Sequence, residues 1–199
     1  MQPFTSLMHS SPPSHNDVPA GRLAKRGSTT AGITVKGFYL RAVIKELANN
    51  GQHLTIATNY RDFGDYPLEV AHELLLESAQ RLYPTQRRPE ALRRIGWIMY
   101  PTLLSTMVGK VIFASLGNDL PTVLRIAGRG FEVSLTAGRY EAVRIGARDA
   151  DVSVRDFPLY PESFLLGVFE GVLAHYGYGE GTVTAHVLSA TDVDFHLAW

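Results

Sequence analysis

A chain of 199 residues, 45% hydrophobic and 10% aromatic, has enough apolar side chain to close an ordinary core without disulfide or metal support. Nineteen Lys and Arg balance nineteen Asp and Glu, so no net field draws nucleic acid or an anionic membrane. The absence of cysteine excludes disulfides, thiolate catalysis and cysteine-ligated zinc or iron–sulfur clusters, and it is compatible with a reducing cytoplasm.

Residues 1–32 are rich in Ser, Pro, Gly and Thr and cannot bury enough apolar area to offset chain ordering, so they read as a disordered lead-in. They lack the basic start and continuous apolar run of a secretory signal, and the expected location is cytoplasmic. A single α+β domain is expected over residues 33–199. Leu40, Val43, Ile44 and Leu47 recur at helical steps up to Asn49-Asn50-Gly51. Tyr66-Pro67 opens a second helix, with Val70, Ala71, Leu74, Ala79 and Leu82 inward. A third carries Ala91, Leu92, Ile95 and Ile98, and Pro101 predicts a break or kink near Tyr100.

A fourth helix, residues 102–116, is apolar around most of its circumference and reads as central, yet it is too short and polar to span a bilayer. Asn118-Asp119 with Pro121 restarts a short helix through Leu124 and Ile126. Alternation then takes over. Phe131, Val133 and Leu135 read as strand, as do the segments around Tyr140 and Val152. Helix returns from Pro161 through Leu173 and ends at Gly177 and Gly179. Val183, Ala185 and Val187, then Val193, Phe195 and Leu197, alternate again. The expected fold is an N-terminal helical half followed by a roughly four-stranded antiparallel sheet with one intervening helix, β-β-α-β-β.

The polar motifs assemble no active site. His72-Glu73 begins a helix, but a zinc-peptidase helix needs a second histidine where Leu76 stands. Arg87, Arg88, Arg93 and Arg94 spread around a helix and read as a solvated face, with partner docking as the alternative. Gly128-Arg129-Gly130 follows helix and precedes strand, the reverse of a dinucleotide loop, and reads as a turn. His186 and His196 fall out of phase with their apolar strand neighbours, toward solvent or a cross-strand partner. His72 and His175 are the histidines that could serve as haem ligands. Glu162 and Glu170 face solvent rather than form an acid–base pair, and no serine stands in a nucleophile elbow. No enzyme is expected.

The apolar pattern is more telling. Gly167 and Gly171 share one face of the C-terminal helix, and Gly109 sits among Met107 and Phe113. Small residues admit either a neighbouring backbone or an apolar ligand. The candidate ligand-binding set is Met107, Gly109, Phe113, Phe164, Gly167, Val168 and Gly171, between helices 102–116 and 164–176. The competing reading is tight packing of helix on sheet.

VKGFYLRAVI from Val35, YPTQRRPEALRRIGW from Tyr83, Gly109-Lys110 and the block from Phe164 to Trp199 together resemble an uncharacterised family of unknown function expanded in myxobacteria. The likeness covers most of Val35 to Trp199. That family is remotely similar to the ligand-binding domains shared by vinyl-reductase-like proteins, TRAPP-complex subunits and haem nitric-oxide sensors. The resemblance implies a ligand-binding domain with helices preceding the sheet. The Tyr-x-Ser-x-Arg cluster that meets haem carboxylates in those sensors is missing from this sequence, and so are the C-terminal cysteines of vinyl-reductase-like domains. The expectation is a non-enzymatic sensor binding a small apolar or amphipathic molecule and signalling to a partner. The alternative is a ligand-free interaction or assembly module that dimerises. The cofactor is unknown; neither nucleic acid nor a membrane span is expected.

Overall fold

The computed structural model describes residues 32–54, 59–105, 107, 110 and 119–199. The lead-in expected over residues 1–32 lies, but for Gly32, outside the described residues. Ahead of the first helix, strand β1 (Thr34–Lys36) pairs antiparallel with β2 (Asp65–Pro67), a small ribbon without a counterpart in the sequence reading. Helix α1 (Gly37–Asn49) buries Leu40, Val43 and Leu47 at helical spacing and ends before Gly51, whose φ of +68° suits glycine. Helix α2 (Leu68–Leu82) begins directly after Pro67, and its buried face holds Leu68, Ala71, Leu74, Leu75 and Ala79.

Of the break or kink expected near Tyr100, helix α3 (Arg88–Leu104) rules out the break, because it runs through Pro101. A proline removes the hydrogen bond to the carbonyl four residues earlier, here Trp97. That carbonyl faces another element: a Cβ placed on Gly171 would overlap the Trp97 oxygen. The carbonyl freed by Pro101 therefore lies against the backbone of that element. Of the expected helix 102–116, residues 102–104 close α3, while most of the remainder lies outside the described residues.

Helix α4 (Leu120–Ser134) starts as expected at Asp119, whose side chain accepts a bond from the Thr122 amide at 2.9 Å. It continues past Ile126, so the turn read at Gly128–Gly130 and the strand read over Phe131–Leu135 are corrected to helix as far as Ser134, while Leu135 is extended and bridges Val35 antiparallel. Val123, Leu124, Ala127, Phe131 and Ser134 recur at three- and four-residue steps and lie on one cavity wall, whereas Val133 is exposed.

The four-stranded sheet has the order β3 (Arg139–Ile145), β4 (Asp149–Arg155), β6 (Val193–Ala198), β5 (Thr182–Val187), with every neighbour antiparallel. The pairs Ala150 with Leu197, Val152 with Phe195 and Val154 with Val193 are buried on one face. Asp151 with His196 and Ser153 with Asp194 occupy the other. Between β4 and β5, Tyr160 adopts a left-handed φ of 54° and opens a π-helical turn, Pro161–Leu165, which passes into α5 (Leu166–His175). The N-terminal helices and the C-terminal sheet thus match the α+β reading.

Helices α3 and α5 run side by side in the same direction. A Cβ on Gly167 would overlap the Arg93 carbonyl, one on Gly171 the Trp97 carbonyl, and one on Gly96 the Phe164 carbonyl. The three glycines let the two backbones touch, and the Tyr100 and Tyr176 hydroxyls meet at 3.0 Å at the C-terminal end of the pair.

Candidate functional site

A cavity of ≈ 150 Å³ lies between these layers. Tyr39 of α1 and Val35 of β1 form one side, and α3 contributes Met99, Tyr100 and Leu103. The striped face of α4 supplies Val123, Leu124, Ala127, Phe131 and Ser134. Tyr140 of β3, with Phe157 and Leu159 after β4, closes the sheet side. Phe164, Leu165, Val168, Phe169 and Val172 complete the wall. Among the described residues no charged side chain lines it.

Among the described residues four hydroxyl groups belong to this wall. Ser134 Oγ donates to the Gly130 carbonyl at 2.6 Å, Tyr140 donates to the Leu124 carbonyl at 2.7 Å, and Tyr100 is engaged with Tyr176. The Tyr39 hydroxyl is buried and meets no partner among the described residues. Burial drives the Tyr39, Tyr100 and Tyr140 phenols well above the ordinary tyrosine range, because an ionised oxygen would be stranded without water. All three stay neutral at any physiological pH.

Of the residues singled out from sequence, Phe164 and Val168 line the cavity. Gly167 and Gly171 instead abut the α3 backbone, so the close neighbour at these glycines is a helix of the chain itself rather than the sheet. Met107 is 79% exposed. Gly109 and Phe113 lie outside the described residues. Tyr39, Tyr140 and Phe157 escaped the sequence reading, since more than a hundred residues separate the first from the last and no local spacing marks them as neighbours.

The polar candidates resolve into structural contacts. His72 Nε2 stands 2.9 Å from the Pro158 carbonyl, with its ring 5.3 Å from that of Tyr160. His175 sits edge-on to Tyr100. Arg87 pairs with Glu90, Arg93 grips Glu170 through Nε at 2.7 Å, and Arg94 lies over the Tyr83 ring. His196 bonds Asp151 across the strands at 2.7 Å, and Arg144 holds the second oxygen of that carboxylate at 2.8 Å. Among the described residues no cluster of three or more His, Asp or Glu could hold a metal, and no helix is long and apolar enough to cross a membrane.

The profile of the family described as "Protein of unknown function (DUF2378)" matches residues 28–199, so the chain belongs to that family. No curated protein sequence matches it. Among solved structures, the fold is similar to the Fe(II) unliganded H-NOX protein from K. algicida, at a TM-score of 0.61 and 12% identity over 82% of this chain and 95% of that one. It is also similar to the H-NOX domain from Shewanella oneidensis in the Fe(II)CO state, at 0.60 and 12% over 82% and 97%. A third, the H-NOX protein from S. oneidensis in the Fe(II)NO state, gives 0.56 and 12% over 81% and 97%. At such identity the likeness shows a shared fold.

Haem, the group described in other H-NOX structures, does not fit the residues described in this cavity. The described lining has no imidazole or thiolate, its phenols are held neutral, and no Arg or Lys stands there to meet propionates. Neither His72 nor His175 reaches the wall. The volume also falls short of the roughly 300 Å³ at which pockets for drug-sized ligands begin.

Proposed function

We propose that this member of the family is a non-enzymatic cytoplasmic sensor domain whose internal cavity takes a small apolar molecule and reports its occupancy to a partner. The observation that carries the reading is the cavity itself, set between helices and sheet with no charged side chain among its described lining residues. Cavities of about this volume lined by aliphatic and aromatic side chains stay dry and accept molecules of benzene size.

Occupancy has a route to the surface. Val168, Phe169 and Val172 touch the cavity from α5, while Gly167 and Gly171 of the same helix bear on α3. A ligand favouring one placement of α5 biases the pair of helices together, and a partner reading that surface senses the difference. The shared fold with H-NOX proteins, known in Fe(II)NO and Fe(II)CO ligation states, supports a sensing role by analogy.

Native mass spectrometry of freshly purified protein tests this. Extra mass released on denaturation is the expected result. A bare dimer that also fails to take up small apolar molecules would favour the assembly module instead.

A further inference from the structure

We infer that the outer edge of β5 is an interface with a second copy of this chain: two β5 strands pair antiparallel about Ala185 and join two four-stranded sheets into one. The inference stands on the sheet edge and is independent of what the cavity holds. β3 and β5 are the two outer strands, and their edges differ in chemistry. β3 carries Arg139, Glu141 and Arg144 and an irregular register between Ala142 and Arg144, features that hinder pairing with a further strand. From Gly181 to Thr191 there is no Asp, Glu, Lys, Arg or Pro, and β5 pairs with β6 in unbroken register.

The ladder fixes which main-chain groups face outward. The Leu188 N–H donates to the Asp192 carbonyl at 2.9 Å, and on the other side of β6 the Trp199 N–H donates to the Arg148 carbonyl at 2.9 Å. Bonded pairs alternate along an antiparallel ladder. Thr182, Thr184 and His186 therefore direct their main-chain groups to β6, while Val183, Ala185 and Val187 direct theirs to the edge. Among the described residues no strand lies beyond them. An extended backbone has donors and acceptors at the matching spacing.

The side chains select a second β5. With a two-fold axis at Ala185, that residue and its counterpart exchange both main-chain bonds. Val187 then meets Val183 of the partner subunit on the face that packs against the core, and Thr184 meets His186 of the partner subunit on the other. Val187 and Leu188, at one end of the strand, are 51% and 49% exposed; Tyr178, which leads into the other end, is 41% exposed. Antiparallel pairing sets each Val187–Leu188 end beside the Tyr178 end of the other copy, so apolar surface meets apolar surface twice and no like charges oppose. A six-residue strand falls short of the about 20–30 residues a side of a stable interface, so the dimer is weak and concentration-dependent.

Sedimentation of the full chain from about 5 μM to about 500 μM should show the mean mass rising from one chain toward two. Val187→Lys places a charge on the paired edge and should raise the dissociation constant about 10-fold or more. Disulfide capture reads the register, because the natural chain has no cysteine. Thr184 and His186 of opposite copies stand about 4.5 Å apart at Cα, whereas like positions lie diagonally at about 7–8 Å, beyond disulfide reach. A mixture of Thr184→Cys and His186→Cys chains under a mild oxidant should therefore cross-link several-fold faster than either variant alone. Both positions are exposed, so neither change disturbs the core. A chain that stays monomeric throughout, a dimer that Val187→Lys leaves as tight, or a mixture that cross-links no faster than its components overturns the β5 interface.

Discussion

Gly171 packs its Cα against the carbonyl oxygen of Trp97, the group that Pro101, four residues on, cannot bond within α3. The relationship accounts for the glycine inside α5, since any larger residue would meet that carbonyl. Together with Gly167 on Arg93 and Gly96 on Phe164, it places α5 against α3 at backbone contact. The wall of the cavity formed by Met99, Tyr100, Val168 and Val172 depends on that approach.

Gly171→Ala should lower stability by about 1–3 kcal/mol, because a methyl group has no room beside a backbone carbonyl and the helices must part. Intrinsic helix propensity predicts the opposite sign, a gain of about 1 kcal/mol. The urea midpoint decides between them. A raised midpoint would show that the two helices are not in contact there.

Acid should weaken the outer face of the sheet. Arg144, and then His196, hold the Asp151 carboxyl below the ordinary aspartate range by hydrogen bonds. A depressed folded value means that the contribution is complete above the unfolded value of about 3.9 and is lost as pH falls through the folded one. Urea midpoints at about pH 5 and about pH 3 should therefore drop further for the unmodified protein than for Asp151→Asn. Equal drops would remove Asp151 from the acid response.

Ferric haem added to the protein should give no Soret spectrum of iron ligated by a side chain. The lining phenols are held neutral, and His72 is turned to the Pro158 carbonyl. A ligated spectrum that disappears in His72→Ala or His175→Ala would contradict the fit described above.

Much of the fold is legible in the residues. Val152 and Val154, or Val193, Phe195 and Leu197, alternate cleanly because one face of the sheet is buried and the other carries Asp151, Asp194 and His196. The strand expected over Phe131–Leu135 shows where such reading fails. Phe131 and Leu135 are two steps of two apart but also one step of four, so alternation over five residues cannot be told from a helical face. Pro101 misleads for a different reason. Whether a proline breaks a helix depends on the tertiary packing around it, and Gly171, which meets the freed carbonyl, lies seventy residues away. The close approach at Gly167 and Gly171 is visible in the sequence, whereas its occupant, the backbone of α3, is a matter of tertiary packing. The cavity is the least legible feature, since Tyr39, Tyr140 and Phe157 come from three separate elements.

The most direct test of the cavity as a ligand site is calorimetric titration of toluene into the full chain and into Ala127→Leu. Ala127 lies in the wall, and a leucine there fills space without adding charge. Filling an apolar void commonly adds about 0.5–2 kcal/mol of stability, so the variant should melt a few degrees higher. The expected result is saturable binding of one toluene per unmodified chain, lost in the better-folded variant. Equal binding by both proteins, or none by the unmodified chain, would contradict it.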